Sequence, residues 1–125
     1  MTAKILILED DNSLQEIFTR TLHRAGHETV SAYNLAEGRR SLQEDTFDIL
    51  LCDMRLPDGD GLTLLREFQD DLRAAGTRVV VVSAEPQYTS MSEELGVEFF
   101  LTKPISLQML NTLLNRLLMQ AASHD

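Results

Sequence analysis

Short, continuous apolar runs alternate with longer amphipathic segments from one end of the chain to the other, and this alternation leaves few folds open. The first run, Ile5-Leu6-Ile7-Leu8, shows no polar/apolar alternation, as suits a parallel strand covered on both faces. It stops at Glu9-Asp10-Asp11. Ser13 and Glu16 then form a capping-box pattern, and Leu14, Ile17, Phe18, Leu22 and Ala25 follow at helical spacing up to Gly26. Residues 29–32 form a weaker second strand, and Asn34 with Glu37 opens a second helix that runs to about Leu42. Residues 47–52 form a third strand ending in Asp53, and Leu62, Leu65, Phe68 and Leu72 mark a third helix closed near Gly76. Residues 79–82 are a buried strand ending in Ser83, a short fourth helix takes in Met91 and Leu95, and residues 99–101 lead to Lys103-Pro104. Residues 107–119 form the last helix. Five strands and five helices in strict alternation predict an α/β domain: a doubly wound, five-stranded parallel sheet with right-handed crossovers and helices on both faces.

At 125 residues the chain has the size of one domain, able to bury roughly two-thirds of its unfolded surface in a core without metal or disulfides. Eleven Lys and Arg against 20 Asp and Glu give a formal charge of −9, which argues against this domain gripping nucleic-acid phosphates itself. The lone Cys52 cannot form an intramolecular bridge, no apolar run has the length of a membrane span, and the first residues lack a signal-type pattern. A cytoplasmic placement with no membrane partner is the expectation.

In an open parallel sheet the functional crevice lies outside the carboxyl ends of the strands. Those ends carry Glu9, Asp10, Asp53, Ser83 and Lys103. Each is unremarkable alone, because acids, serines and lysines are common where strands exit into loops. Three carboxylates in one crevice repel one another, and a divalent cation with oxygen ligands relieves this; Mg2+ suits one or two carboxylates, waters and a phosphate oxygen. Lys103, one of only two lysines, and Ser83 then supply a cation and a hydroxyl for a phosphoryl group, and Asp53 at the middle strand is the natural carboxylate nucleophile.

With these residues in place, the chain resembles the receiver domains of bacterial two-component response regulators. The likeness runs from Ala3-Lys4-Ile5-Leu6-Ile7-Leu8-Glu9-Asp10-Asp11, through Asp53-Met54-Arg55-Leu56-Pro57-Asp58-Gly59-Asp60-Gly61 and Ser83-Ala84, to Thr102-Lys103-Pro104. It implies a flavodoxin-like receiver fold of strand order 2-1-3-4-5, with residues 1–120 as the domain and 121–125 as a tail or the start of a linker. It also implies Asp53 as phosphoacceptor and Mg2+ held by Asp10, by Glu9 through water, by Asp53 and by the main-chain carbonyl of Arg55. Ser83 and Lys103 match the residues that bind the phosphoryl group, Ala84 the small residue that leaves room for it, and Phe100 the aromatic that swings inward on activation. The partner implied is a sensor histidine kinase or phosphotransfer protein. The receiver would catalyse only its own phosphorylation and dephosphorylation, and any effector would lie beyond residue 125.

The chain departs from the family pattern in its shortened span between Ser83 and Lys103 and in Glu85-Pro86 at the start of the fourth helix. Arg55 and Glu85 flank the site, two residues past Asp53 and Ser83, and are expected to pair across its mouth and restrict the attacking water. On the last helix the apolar arc is wider than one sheet face needs, and Met109 and Leu113 at its edge are expected to form a homodimer or effector surface with the fourth helix and fifth strand. His23, His27 and His124 are read as surface residues, Cys52 as a buried packing group, and Asp70-Asp71 as a solvated face. The alternative function is a Mg2+-dependent phosphatase forming an aspartyl phosphate on a small substrate. Such enzymes resemble the haloacid dehalogenase group, yet Glu9-Asp10-Asp11 lacks their Asp-x-Asp pattern. A flavodoxin proper would need a Ser/Thr-rich phosphate loop after strand one, and none is present.

Overall fold

Strand β1 (Lys4–Leu8) sends alternate side chains to opposite faces, and both sets are buried: Leu6 and Leu8 join one core, Ile5 and Ile7 the other. The same division holds for β3 (Ile49–Asp53) and β6 (Arg78–Ser83), where Leu50, Cys52 and Val81 face one way and Ile49, Leu51, Val80 and Val82 the other. A two-sided core explains why these runs show no alternation in sequence. The computed structural model describes residues 2–123, with side chains through residue 119.

The five sheet strands, completed by β2 (Glu28–Ala32) and β7 (Phe99–Thr102), are parallel and ordered β2-β1-β3-β6-β7. This is the 2-1-3-4-5 order read for the chain once β4 (Arg55–Leu56) and β5 (Gly59–Asp60), a small antiparallel ribbon outside the sheet, are set aside. One face is covered by Phe18 and Leu22 of α1 (Asn12–Arg24) and by Leu110, Leu114 and Leu117 of α6 (Leu107–Ser123). The other is covered by α2 (Leu35–Glu44), α3 (Gly61–Glu67) and α4 (Gln69–Ala75), through Leu35, Leu62, Leu64, Leu65, Phe68 and Leu72. Each such fully buried aliphatic side chain contributes about 1.5–3 kcal/mol.

Six helices are present among the described residues rather than five, because the expected third helix divides at Phe68, whose backbone (φ −105°, ψ 13°) leaves the helical region. The bend lets Leu62, Leu64 and Leu65 before it and Leu72 after it reach one core together with the Phe68 ring. Helix α5 (Gln87–Glu93) starts immediately after Pro86 with no side-chain cap, and it ends before Leu95. Helix α6 passes through residue 120, the expected domain boundary, and extends to Ser123.

At the start of α1 the cap is Asp11 rather than Ser13. Its carboxylate accepts the Leu14 N–H at 3.0 Å, so Ser13 is already inside the helix, and Glu16 pairs instead with Arg20 one turn on. The buried stripe also differs, since Ile17 is 43% exposed while Gln15 is buried in its place. His27 is a further correction: it is buried, and its Nδ1 accepts the Ala3 N–H at 3.0 Å, which ties the chain's start to the β2 edge. Burial holds His27 below its ordinary pKa, which favours this neutral acceptor. His23 is exposed and within 2.9 Å of the Thr29 hydroxyl, and His124 lies outside the described residues. Cys52 is fully buried and desolvation pushes its thiol pKa far up, leaving a packing group. Asp70 and Asp71 are exposed, in the first turn of α4 where acids favour the helix dipole.

Candidate functional site

Four neighbouring strands, β1, β3, β6 and β7, end at one edge of the sheet. Cys52 registers with Leu8 and Asp53 with Val82, while Ser83 registers with Thr102, so Glu9, Asp53, Ser83 and Lys103 leave neighbouring strands at one level. Oxygens of Glu9, Asp10 and Asp53 all lie within 4.8 Å of one another. Glu9 and Asp53 are 1% and 4% exposed, whereas Asp10 is open to solvent.

Lys103 is the counter-ion of the two buried acids. Its Nζ lies 3.0 Å from Glu9 Oε1 and 3.3 Å from Asp53 Oδ2. Burial by itself would lower the Lys103 pKa, but contact with Glu9 and Asp53 outweighs it and holds the ammonium above its ordinary value. Desolvation pushes the Glu9 carboxyl up to about 7; the Asp53 charge adds to the rise, while the Asp11 N–H and Lys103 oppose it. Glu9 Oε2 accepts the Asp11 N–H at 3.1 Å, and Oε1 has the Lys103 ammonium as its partner.

One ammonium faces three carboxylates, so the cluster is short of positive charge. An all-oxygen donor set from three carboxylates and a solvent-open Asp10 together fit a hard divalent cation such as Mg2+, which keeps waters in its shell.

Around this centre the remaining residues fall in unequal positions. The Arg55 N–H points to Asp53 Oδ1 at 3.5 Å, and its guanidinium pairs with Glu85 over the site; Arg55 is 75% exposed and Glu85 26%. The Ser83 hydroxyl is engaged with the Glu85 backbone, accepting its N–H at 3.0 Å and facing its carbonyl at 3.4 Å, rather than with Asp53. Ala84 is exposed. Phe100 is half-buried against the core on the α3/α4 face. On α6, Met109 is 56% exposed, and Leu113, one turn on, is half-buried against the core beneath α1 and α6.

Two residues near the site were not legible as part of it. Asp58, in the ribbon's turn, accepts the Leu35 and Ala36 N–H groups at 2.8 and 3.1 Å and so caps α2 from outside. Those backbone bonds hold its carboxyl below the usual range. Gln15 reaches the loop that bears Glu9. Asp58 stood in a stretch rich in turn residues and Gln15 in an amphipathic helix, so neither had a local pattern pointing to its partner.

The sequence matches the family model of the response regulator receiver domain over residues 5–115. The response regulator protein PilR of Pseudomonas aeruginosa is 38% identical over 112 residues, covering 88% of this chain and 25% of that protein. The transcriptional regulatory protein KdpE of Staphylococcus aureus is 29% identical over 127 residues, covering 100% of this chain and 54% of its own length. The chain thus spans about a quarter to a half of these relatives. Among solved structures, the chemotaxis response regulator CheY4 of Vibrio cholerae superposes with a TM-score of 0.85 at 24% identity, covering 94% of this chain and 99% of that one. A two-component response regulator from Clostridium difficile gives 0.83 at 25% identity, covering 94% and 97%.

Proposed function

Because the chain belongs to the response regulator receiver domain family, a family of signalling domains rather than classical enzymes, we propose that it is a switch thrown by phosphorylation of Asp53. Receiver domains interact with histidine kinases or phosphotransfer proteins, and the donor proposed here is the phosphohistidine of such a partner. The observation that carries the reading is the cluster itself: three carboxylates with oxygens within 4.8 Å, two of them held by Lys103.

In the proposed reaction an Asp53 carboxylate oxygen attacks phosphorus, the histidine N–P bond breaks as the O–P bond forms, and the imidazole leaves. Glu9, Asp10, Asp53 and the Arg55 carbonyl would hold Mg2+, which when bound offsets carboxylate repulsion and the charge on the phosphoryl oxygens. Lys103 neutralises charge on the transferred group from the opposite side, in a site where the Glu9 and Asp53 carboxylates are already shielded from water. Ser83 then exchanges its contact with the Glu85 carbonyl for a phosphoryl oxygen. Ala84 leaves room for that group, Phe100 moves into the space vacated, and the face made by α5, β7 and α6 is repacked. Coupling of this kind is typically about 1–3 kcal/mol.

The test is incubation with Mg2+ and acetyl phosphate. One phosphoryl group per chain is expected, lost on Asp53→Ala and on chelation of the metal by EDTA. Sustained hydrolysis of free phosphomonoesters would instead make the protein a phosphatase.

The Arg55–Glu85 pair is proposed to screen the phosphorylated Asp53 from water. Changing both to alanine is expected to alter the decay of the phosphorylated form by a few-fold, in line with the ~0–1 kcal/mol of an exposed pair; an unchanged decay rate removes the role. Met109 is proposed as part of the output or homodimer surface, and Met109→Lys should weaken association of the phosphorylated protein. Association that survives this change excludes Met109 from the interface. The buried, unpaired Cys52 suits a reducing compartment and supports a cytoplasmic placement, and the net charge supports the absence of direct nucleic-acid contact. No helix among the described residues is long and apolar enough to cross a membrane.

A further inference from the structure

Gln15 is a fully polar side chain on the buried face of α1, 1% exposed, in a position where the helix otherwise presents Leu14, Phe18 and Leu22 to the core. Its amide nitrogen lies 3.0 Å from the Ile7 carbonyl oxygen, 3.2 Å from that of Glu9 and 3.2 Å from that of Ala32. An NH2 group has two hydrogens, so three acceptors must share them. The acceptors belong to Ile7 of β1, to Glu9 in the loop after it and to Ala32 at the end of β2. Ala32 O also accepts the Glu9 N–H at 3.0 Å, and the Gln15 N–H donates to Asp11 O at 2.9 Å. The segment Glu9-Asp10-Asp11 is therefore fixed at both ends from Gln15: by its side chain at Glu9 and by its backbone at Asp11.

We propose that Gln15 is a positioning residue for the metal site, setting the backbone from which the Glu9 and Asp10 carboxylates project. The proposal rests on the reading of those carboxylates as Mg2+ ligands. A side chain that served only to fill space here would be apolar, like its neighbours on the same stripe. A side chain that served only to satisfy one carbonyl would not need to bridge β1 and β2. An amide placed this way acts on the ligands through the main chain, so its loss spreads the ligand positions and weakens metal binding without removing a ligand.

Gln15→Met keeps the length and removes the donors. Mg2+ affinity of the full chain is measured by calorimetry at low temperature, with urea unfolding recorded for the same samples. The expected result is about tenfold weaker Mg2+ binding in a protein that is still folded, with phosphorylation of Asp53 from acetyl phosphate recovering when Mg2+ is raised. Gln15→Asn, which keeps the amide but shortens its reach, is expected to fall between the two and serves if Gln15→Met does not fold. In a double-mutant cycle with Glu9→Gln the two losses should be less than additive, because Gln15 acts through Glu9. Lowered urea stability with unchanged Mg2+ affinity in the folded variants, or full additivity in the cycle, overturns the proposal. Failure of the wild-type chain to bind Mg2+ at all would overturn the metal-site reading instead.

Discussion

Lys103→Met is expected to slow phosphorylation of Asp53 by roughly 100- to 1000-fold while leaving Mg2+ affinity equal to or tighter than that of the wild type. The two effects separate because Lys103 occupies one side of a site whose other side is acidic. Its Nζ contacts Glu9 Oε1 and Asp53 Oδ2, and it forms the only ion pair of either acid among the described residues. Removing a positive charge beside the carboxylates raises their attraction for a cation, so ground-state metal binding does not suffer. The transferred phosphoryl group, in contrast, loses the ammonium that stabilises its oxygens where water is excluded. Methionine keeps the apolar stem and cannot form the charge interaction. Glu9 Oε2 keeps the Asp11 N–H as a partner in the variant. Rates with acetyl phosphate at saturating Mg2+, set beside calorimetric Mg2+ affinities, check this. A loss of less than about threefold in rate, or a parallel loss of metal affinity, would exclude Lys103 as the cation that acts on the phosphoryl group.

The strand ends were readable because each apolar run stops at a polar residue. In a parallel sheet, that stop is where the chain leaves the two-sided core, so Glu9, Asp53, Ser83 and Lys103 share a level as a consequence of topology. The division between α3 and α4 was not readable. Leu62, Leu65, Phe68 and Leu72 keep helical spacing through the bend, and a change in one residue's backbone angles leaves no mark on composition. The α1 cap was misjudged because Asp11 and Ser13 are both good capping residues, and the choice between them rests on where the β1 loop ends. Burial of His27 and Gln15 depends on carbonyl and amide groups distant in sequence, which a local pattern cannot contain. The pairing of Arg55 with Glu85 could be anticipated because each residue sits two positions past a strand end that the fold makes adjacent.

Gly61→Ala is expected to cost more stability than alanine at the positive-φ glycines Gly26, Gly76 and Gly96, although Gly61 does not need an unusual backbone. A Cβ built on Gly61 would lie 2.4 Å from the Asp53 carbonyl oxygen, 2.7 Å from Met54 Cε and 3.0 Å from Cys52 Sγ. The methionine can move; the carbonyl cannot, because it belongs to the end of the central strand. Gly61 is also held in place, since its N–H donates to Met54 O at 2.9 Å and Asp60 caps the helix it begins. Relief therefore requires either α3 to shift away from the sheet or the Asp53 backbone to shift with its carboxylate. The cost of such overpacking is about 2–4 kcal/mol, a fall in Tm of roughly 8–15 °C for a domain of this size. At Gly26, Gly76 and Gly96 (φ 90°, 70° and 85°) a Cβ meets nothing within 4 Å, so only backbone strain of about 1–2 kcal/mol opposes alanine. Thermal unfolding of the four variants ranks them. If Gly61→Ala melts at or above Gly76→Ala, the contact with Asp53 is not the constraint; if it melts far below and phosphorylation at Asp53 also falls while it is folded, the same 2.4 Å approach limits both the packing of α3 and the placing of the acceptor.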